Sequence, residues 1–282
     1  RVLVVGASGG IGQYAMFELL DKGYQVRGVT RREKSIAEQV RGTPLEQVEW
    51  VHGDLNQKST LAPAMQGVKK VIFCAGAHGW EDIENNRRIY FEAVAELARL
   101  GALQGVDRYV LVSSAGLKRP KPNYSGYLKD VLKWKLKGEQ ALQASGVPYS
   151  IVRAYSLDNE KDDLGEDFTV AIFQGDPDGV GTPTSAATAL ITRKDLGAVT
   201  VEAMVSDKTK NASFEVCNTR KMFMGIEPDW RKALAAISPD PPMTSEDIAA
   251  LKAAIASDQQ ALTNDAIKDK TFYGDPSNGF RN

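Results

Sequence analysis

Histidine and cysteine are scarce: the 282-residue chain has two of each. His52, His78, Cys74 and Cys217 do not pair at metal-ligand spacing, so no metal site is expected. Both cysteines sit in apolar, strand-like runs and read as buried free thiols. The formal net charge is only -1, which excludes a global field that would recruit nucleic acid or an acidic membrane. The basic run Lys129–Lys137 is too short, and too poor in interleaved aromatics, to read as a nucleic-acid surface. No apolar stretch reaches the roughly 18 residues that a membrane-spanning helix needs. A start methionine is missing too, because Arg1 leads directly into the first strand. A processed targeting segment ahead of it is one expectation, and a soluble location in cytoplasm or plastid stroma is left undecided. Asn123 and Asn211 match glycosylation sequons that are short enough to arise by chance.

What is present is alternation. Val2–Val5, Gln25–Thr30, Val48–Val51, Val71–Cys74, Arg108–Ser113 and Tyr149–Val152 read as strands. Gly10–Lys22, Glu84–Leu103 and Gly126–Ala144 carry helical apolar spacing. Strands alternating with helices imply parallel pairing covered on both faces. The predicted fold is therefore α/β: a doubly wound parallel sheet (Rossmann fold) of order 3-2-1-4-5-6, with a seventh strand near Ser213–Cys217 and small C-terminal helical additions. Residues 156–190 are acidic, then rich in Gly, Pro and Thr, and read as a long loop beside a substrate cleft. Lys194–Val205 and Asp229–Ala236 read as further helices. The run Pro239–Pro242 breaks the chain, which suggests a nucleotide-binding domain over 1–237, with cleft additions after about 155, and a helix and tail over 238–282. Thr244 to Asp247 resembles a capping box that opens the last helix.

The stretch VVGASGGIG places Gly6, Gly9 and Gly12 between a strand and a helix. In that context the spacing predicts a dinucleotide site. Gly6 makes the tight turn, Gly9 lets backbone approach a pyrophosphate, and Gly12 lets helix pack on strand. Ser8, Gly10 and Ile11 complete the helix N-terminus, whose free N–H groups face phosphate. At the end of the second strand an acid that would bind ribose hydroxyls is lacking. Arg31 and Arg32 stand there instead, with Lys34 behind. Guanidinium pairs with a 2′-phosphate, so NADP(H) is the expected cofactor, against a solvated basic turn.

The ordered motifs VLVVGASGGIG, GDL at 53–55, FCAGA at 73–77, RYVLVSSAG at 108–116, SGVPYSIVR at 145–153 and ITRKDLGAVTVEAM at 191–204 carry a resemblance. Together they resemble the atypical short-chain dehydrogenase/reductase superfamily, in particular its NmrA-like branch. The resemblance implies Asp54 and Leu55 at the adenine edge, Ala75 and Gly76 beside the cofactor ribose, and Ser113 or Ser114 beside the nicotinamide. It also implies a Tyr-x-x-x-Lys pair, in which lysine lowers the tyrosine pKa and tyrosine passes a proton to substrate. Tyr127 is placed for that tyrosine, but Val131 follows it by four, and Leu128 follows Tyr124. Lys135 or Lys137 on the same helix could serve the reaction, or form a solvated face with Glu139. Arg153-Ala154-Tyr155 replaces the Arg-Pro-Gly usual at the pocket floor.

Two functions follow from these motifs. One is an NADPH-dependent reductase of a small or medium organic substrate. The other is a catalytically silent dinucleotide-binding regulator, assembly factor or scaffold subunit. Phe272, Tyr273 and Phe280 in the tail suggest docking, onto this chain or onto a protein partner through the C-terminal helix and tail.

Overall fold

The structure, a computed structural model, describes residues 1–77, 83–117, 125–158, 160–175, 189–221 and 229–257. His78, Asn123, Tyr124 and the aromatic tail residues Phe272, Tyr273 and Phe280 lie outside the described residues. The chain divides into two compact units, Arg1–Pro241 and Pro242–Asn282.

In the first unit, strands and helices alternate as the apolar pattern requires. β1 (Val2–Val5), α1 (Gly10–Asp21), β2 (Val26–Thr30), α2 (Glu33–Gln39) and β3 (Glu49–His52) form the first half. The second half begins with α3 (Leu61–Ala64), β4 (Lys70–Phe73), α4 (Ile83–Arg87), α5 (Val94–Gln104) and β5 (Arg108–Ser114). It continues with α6 (Gly126–Ala144), β6 (Tyr149–Ala154), β7 (Ser156–Leu157), β8 (Phe168–Phe173) and β9 (Leu190–Ile191). α7 (Arg193–Val205), β10 (Ala212–Arg220) and α8 (Trp230–Ala235) close the unit.

The main sheet has the order β3-β2-β1-β4-β5-β6-β10-β8. Every pairing from β3 to β10 is parallel, and only β8 runs antiparallel, from Phe168 against Arg220 to Phe173 against Glu215. The doubly wound order is the one expected, and the seventh strand lies where the sequence placed it. Residues 168–173, within the stretch expected to be loop, form β8; its mostly apolar FTVAIF is enclosed by an acidic segment and a Gly- and Pro-rich one, whose loop character masks it.

The sheet is buried on both sides. One apolar layer joins Val2 and Val4 to Ala15, Met16 and Leu19 of α1 and Leu196, Val199 and Ala203 of α7. The other joins Leu3 and Val5 to Leu61, Leu97 and Leu142. The fully buried VLVV of β1 is thus claimed by both layers, which explains a strand without polar alternation.

The segment 84–103 is expected to be one continuous helix. Instead Arg88–Ala93 is a π-helical turn between α4 and α5. Such turns are rare and insert one extra residue, which re-aims the side chains around them. The second unit has a helix over 245–257. Its start is a capping box: the Asp247 amide donates to Thr244 Oγ1 at 3.0 Å, while the Thr244 amide and hydroxyl donate to Asp247 Oδ2 at 3.0 and 2.6 Å.

Candidate functional site

The C-terminal ends of β1, β2 and β4 meet the start of α1 around a cleft of about 420 Å³. Gly6, Ser8, Gly9, Arg31, Asp54, Leu55, Ala75 and Gly76 all line it. Position 6 must be glycine on two counts. Its φ of +88° is left-handed, and a Cβ there would lie 2.6 Å from the Ala75 amide nitrogen. Gly9 donates its amide to the Gly6 carbonyl at 3.0 Å and closes the loop. Gly10, Ile11 and Gly12 form the first turn of α1, where Gly9 is the N-cap and brings no side-chain cap. The turn's N–H groups are therefore left for an anion.

The other expected cofactor contacts are distributed around this loop. Arg31 is exposed on the cleft wall. Arg32 is the exposed residue just before α2, and its amide is held by Thr30 Oγ1 at 3.1 Å. Asp54 keeps its carboxylate in a local turn, accepting from the Asn56 amide at 3.0 Å, and its own amide donates to Thr60 Oγ1 at 2.9 Å. The sequence reading missed Asn56, Ala77, Asn85 and Ile89, which complete the lining. It also missed Arg193, whose Cδ would lie 2.5 Å from a Cβ at position 10. Arg193 is thereby laid over the first turn of α1, with its guanidinium donating to the Asp158 carbonyl at 2.8 Å. Cys74 lines the cleft as well, but its thiol donates to the Val5 carbonyl at 3.3 Å and burial pushes its pKa up to about 12. It is an inert thiol.

Ala77, on the cleft's wall, is tied to a cluster of side chains beside the cleft. The Ala77 amide donates to the Tyr90 hydroxyl at 3.0 Å. The Tyr90 ring faces Lys135 Nζ, 5.0 Å from its centroid. Lys135 Nζ in turn donates to Ser114 Oγ at 2.7 Å. Burial lowers the Lys135 pKa to about 8, against the opposing pull of Glu139 one turn along the helix. Burial also raises the Tyr90 phenol, and the proximity of Tyr127 adds to the rise.

Among the serines and lysines expected at this end, Ser114 and Lys135 come together. Ser113 is buried elsewhere, with no hydrogen-bond partner for its hydroxyl among the described residues. Lys137 is half-buried two residues further along α6. Tyr127 sits in the first turn of α6, near Tyr90. With Lys135 as the lysine at Ser114, the residue one turn earlier is Val131, which is buried and has no hydroxyl.

Under this cluster lies a buried ionic floor. Arg153 Nη2 donates to Glu139 Oε2 at 2.8 Å and Nη1 to Glu215 Oε1 at 2.9 Å. All three residues are at most 4% exposed. Arg153 and Glu215 are register partners on β6 and β10, and Glu139 comes down from α6. Its neighbours Lys135 and Glu139 are thus not an exposed ion-pair face. Glu139 is spent on Arg153, and Lys135 turns to Ser114.

The NAD(P)H-binding family pattern matches residues 6–207, and the chain belongs to that family. It is 30% identical over 253 residues to sanguinarine reductase of Eschscholzia californica, a match that covers 76% of this chain and 88% of that protein. It is 31% identical over 194 residues to the chloroplastic protein TIC 62 of Arabidopsis thaliana, covering 62% of this chain and 30% of that protein. The chain therefore spans only about a third of the length of its TIC 62 relatives. A Bacillus halodurans protein described as an NAD-dependent epimerase/dehydratase superposes with a TM-score of 0.64 at 27% identity, over 78% of this chain and 94% of that one. The class is that of Rossmann-fold, atypical short-chain dehydrogenase/reductase proteins that bind NAD(P)H. Among the described residues no group of three or more histidine, cysteine or acidic side chains is arranged to hold a metal, and no helix is long and apolar enough to cross a membrane.

Proposed function

We propose that the chain is an NADPH-dependent reductase of a small or medium organic acceptor, with Arg31 and Arg32 selecting the 2′-phosphate. The observation that carries this is the 2.7 Å bond from Lys135 to Ser114, joined through Tyr90 to Ala77 on the cleft's wall. An enclosed ammonium with a lowered pKa costs stability, and such groups concentrate where a proton has to move. When bound, the dinucleotide supplies hydride. The residues of this chain supply the rest. The Lys135 ammonium donates to Ser114 Oγ, which frees the serine proton to point at an acceptor oxygen. The similarity to a named reductase supports the same reading.

A silent dinucleotide holder, serving as a regulator or as an assembly or scaffold subunit, is the second reading. It is favoured by Val131, which leaves α6 without a tyrosine one turn before Lys135. Similarity to the photosystem II assembly factor Ycf39 of Trieres chinensis supports this reading as well, and similarity to the chloroplastic TIC 62 supports residence in a plastid. The test is NADPH oxidation with a panel of quinones, enones and iminium compounds, alongside Ser114→Ala. Turnover that falls at least tenfold in the variant supports the reductase; tight NADPH binding with no turnover of any acceptor supports the holder.

A further inference from the structure

Lys135 of α6 meets Ser114, and Val131, one turn before it on the helix, has no hydroxyl. A phenol occupies the neighbourhood from a different helix. Tyr90 stands on the π-helical turn Arg88–Ala93, and that turn, with α4 before it, packs on α6. Phe91 stacks on Trp134 with centroids 6.0 Å apart. Asp130 accepts from Asn86 at 3.3 Å and from the Trp134 indole at 3.0 Å. Gly138 packs directly on the Tyr90 carbonyl, where a Cβ would collide with the oxygen. The extra residue of the π turn is therefore not slack. The turn is held in one position, and its neighbours Ile89 and Asn85 line the nucleotide cleft.

Tyr90 is also hydrogen-bonded in a direction that suits a donor. Its oxygen accepts from the Ala77 amide at 3.0 Å, which leaves the hydroxyl proton to be given to something else. Its ring carries the Lys135 ammonium on one face.

We propose, building on the reductase reading, that Tyr90 is the catalytic proton donor, replacing from the π-helical turn the phenol that Val131 leaves out of α6. In the step, a new C–H bond forms at the acceptor carbon with hydride from the bound dinucleotide. The carbonyl π pair moves to oxygen, and that oxygen takes the proton from Tyr90 Oη. The phenolate left behind is balanced by the Lys135 ammonium over its ring and by the Ala77 amide, then regains a proton from water. Burial keeps the phenol neutral before the step, so it starts as a donor.

The experiment compares wild type with Tyr90→Phe, Tyr127→Phe and Lys135→Met. If wild type reduces an acceptor of the panel, Tyr90→Phe is expected to lower kcat by about 10²–10⁴-fold with KM and NADPH affinity within about threefold. Tyr127→Phe, which removes the phenol that motif spacing alone would favour, is expected to lower kcat less than Tyr90→Phe does, and a larger loss at Tyr127 than at Tyr90 overturns the assignment. A Tyr90→Phe enzyme within about twofold of wild type, or one whose kcat falls only as far as its NADPH affinity, overturns the donor role while leaving the reductase standing. Wild type that reduces no acceptor removes the reductase reading and this proposal with it. A second readout needs no turnover: titration of dinitrophenolate, an unreactive oxyanion, into the NADP⁺ complex, followed by absorbance. The phenol should donate to that anion, so Tyr90→Phe should weaken it at least about tenfold. Equal affinity in the two proteins overturns the proposal. Should Tyr90→Phe fail to fold, difluorotyrosine at position 90 keeps the ring and the Ala77 bond. Its fluorines make the phenol more acidic, so the basic limb of the pH–rate profile, which Lys135 sets near pH 8 in the wild type, should move to lower pH, and an unmoved limb counts against Tyr90.

Discussion

The two halves of the cleft are built from different materials. At the nucleotide end, backbone does the shaping: Gly6 in a left-handed turn against Ala75, amide groups at the start of α1, and strand ends of β1, β2 and β4. At the other end, side chains from five elements meet: Ser114 from β5, Lys135 from α6, Tyr90 from the π turn, and below them Arg153 of β6 with Glu139 of α6 and Glu215 of β10. A backbone-built half needs only shape and N–H groups, so one short motif specifies it. A half built from side chains needs its charges paired and its rotamers fixed by neighbours, so its cost is spread over distant segments.

The contrast breaks most readily at the ionic floor. Arg153→Met would leave Glu139 and Glu215 buried without their cation, and should cost about 3–5 kcal/mol of stability. Urea denaturation measures it, and a loss below about 1 kcal/mol would mean that water replaces the guanidinium. At the nucleotide end the corresponding change is Gly6→Ala. The left-handed turn alone should cost roughly 1–2 kcal/mol, and the contact with Ala75 adds to that. NADPH affinity should fall more steeply than the melting temperature, as calorimetry and thermal unfolding would show. An unchanged affinity would mean the loop is not the phosphate cradle.

Smaller changes sharpen the comparison. Replacing Arg31 and Arg32 together by alanine should weaken NADPH by about 1.5–3 kcal/mol and leave NADH where it was. Equal losses for both would place these arginines on something other than the 2′-phosphate. The least visible effect concerns Lys135. With its pKa near 8, the ammonium is present below that pH and is lost as pH rises through it. The groups facing it are Ser114, Tyr90 with Tyr127 behind it, and Glu139, of which only Glu139 opposes the loss. Turnover should therefore decline above about pH 8. Because folding lowers this lysine's pKa, the unfolded chain binds more protons between about pH 8 and 10, so the lysine costs stability below that window. Lys135→Met should accordingly raise the melting temperature by about 2–4 °C at neutral pH while turnover is lost. A lower melting temperature would show that the Ser114 contact outweighs the cost of burial.

The sequence by itself determined the layout of the first unit. Uninterrupted apolar strands, amphipathic helices between them and a glycine trio after β1 are local patterns, and local patterns survive being read one residue after another. They were enough for the sheet order, for the nucleotide end and for the capping box at Thr244 and Asp247. Tertiary structure decided what those patterns leave open. Which of Lys135 and Lys137 meets Ser114 depends on which way α6 is turned, and Glu139 of that helix is held by Arg153, 14 residues on, whose guanidinium also binds Glu215. β8 was hidden because its six residues lie between loop-rich acidic and Gly/Pro segments, and only pairing with β10 makes them a strand. Tyr90 was hidden more deeply. Its place depends on a π turn held open by Gly138 and Trp134, residues some 45 positions away that no spacing rule connects to it. Contacts of that range are fixed only when the packed helices come together, which is why the chemistry of this end belongs to the fold and not to any motif.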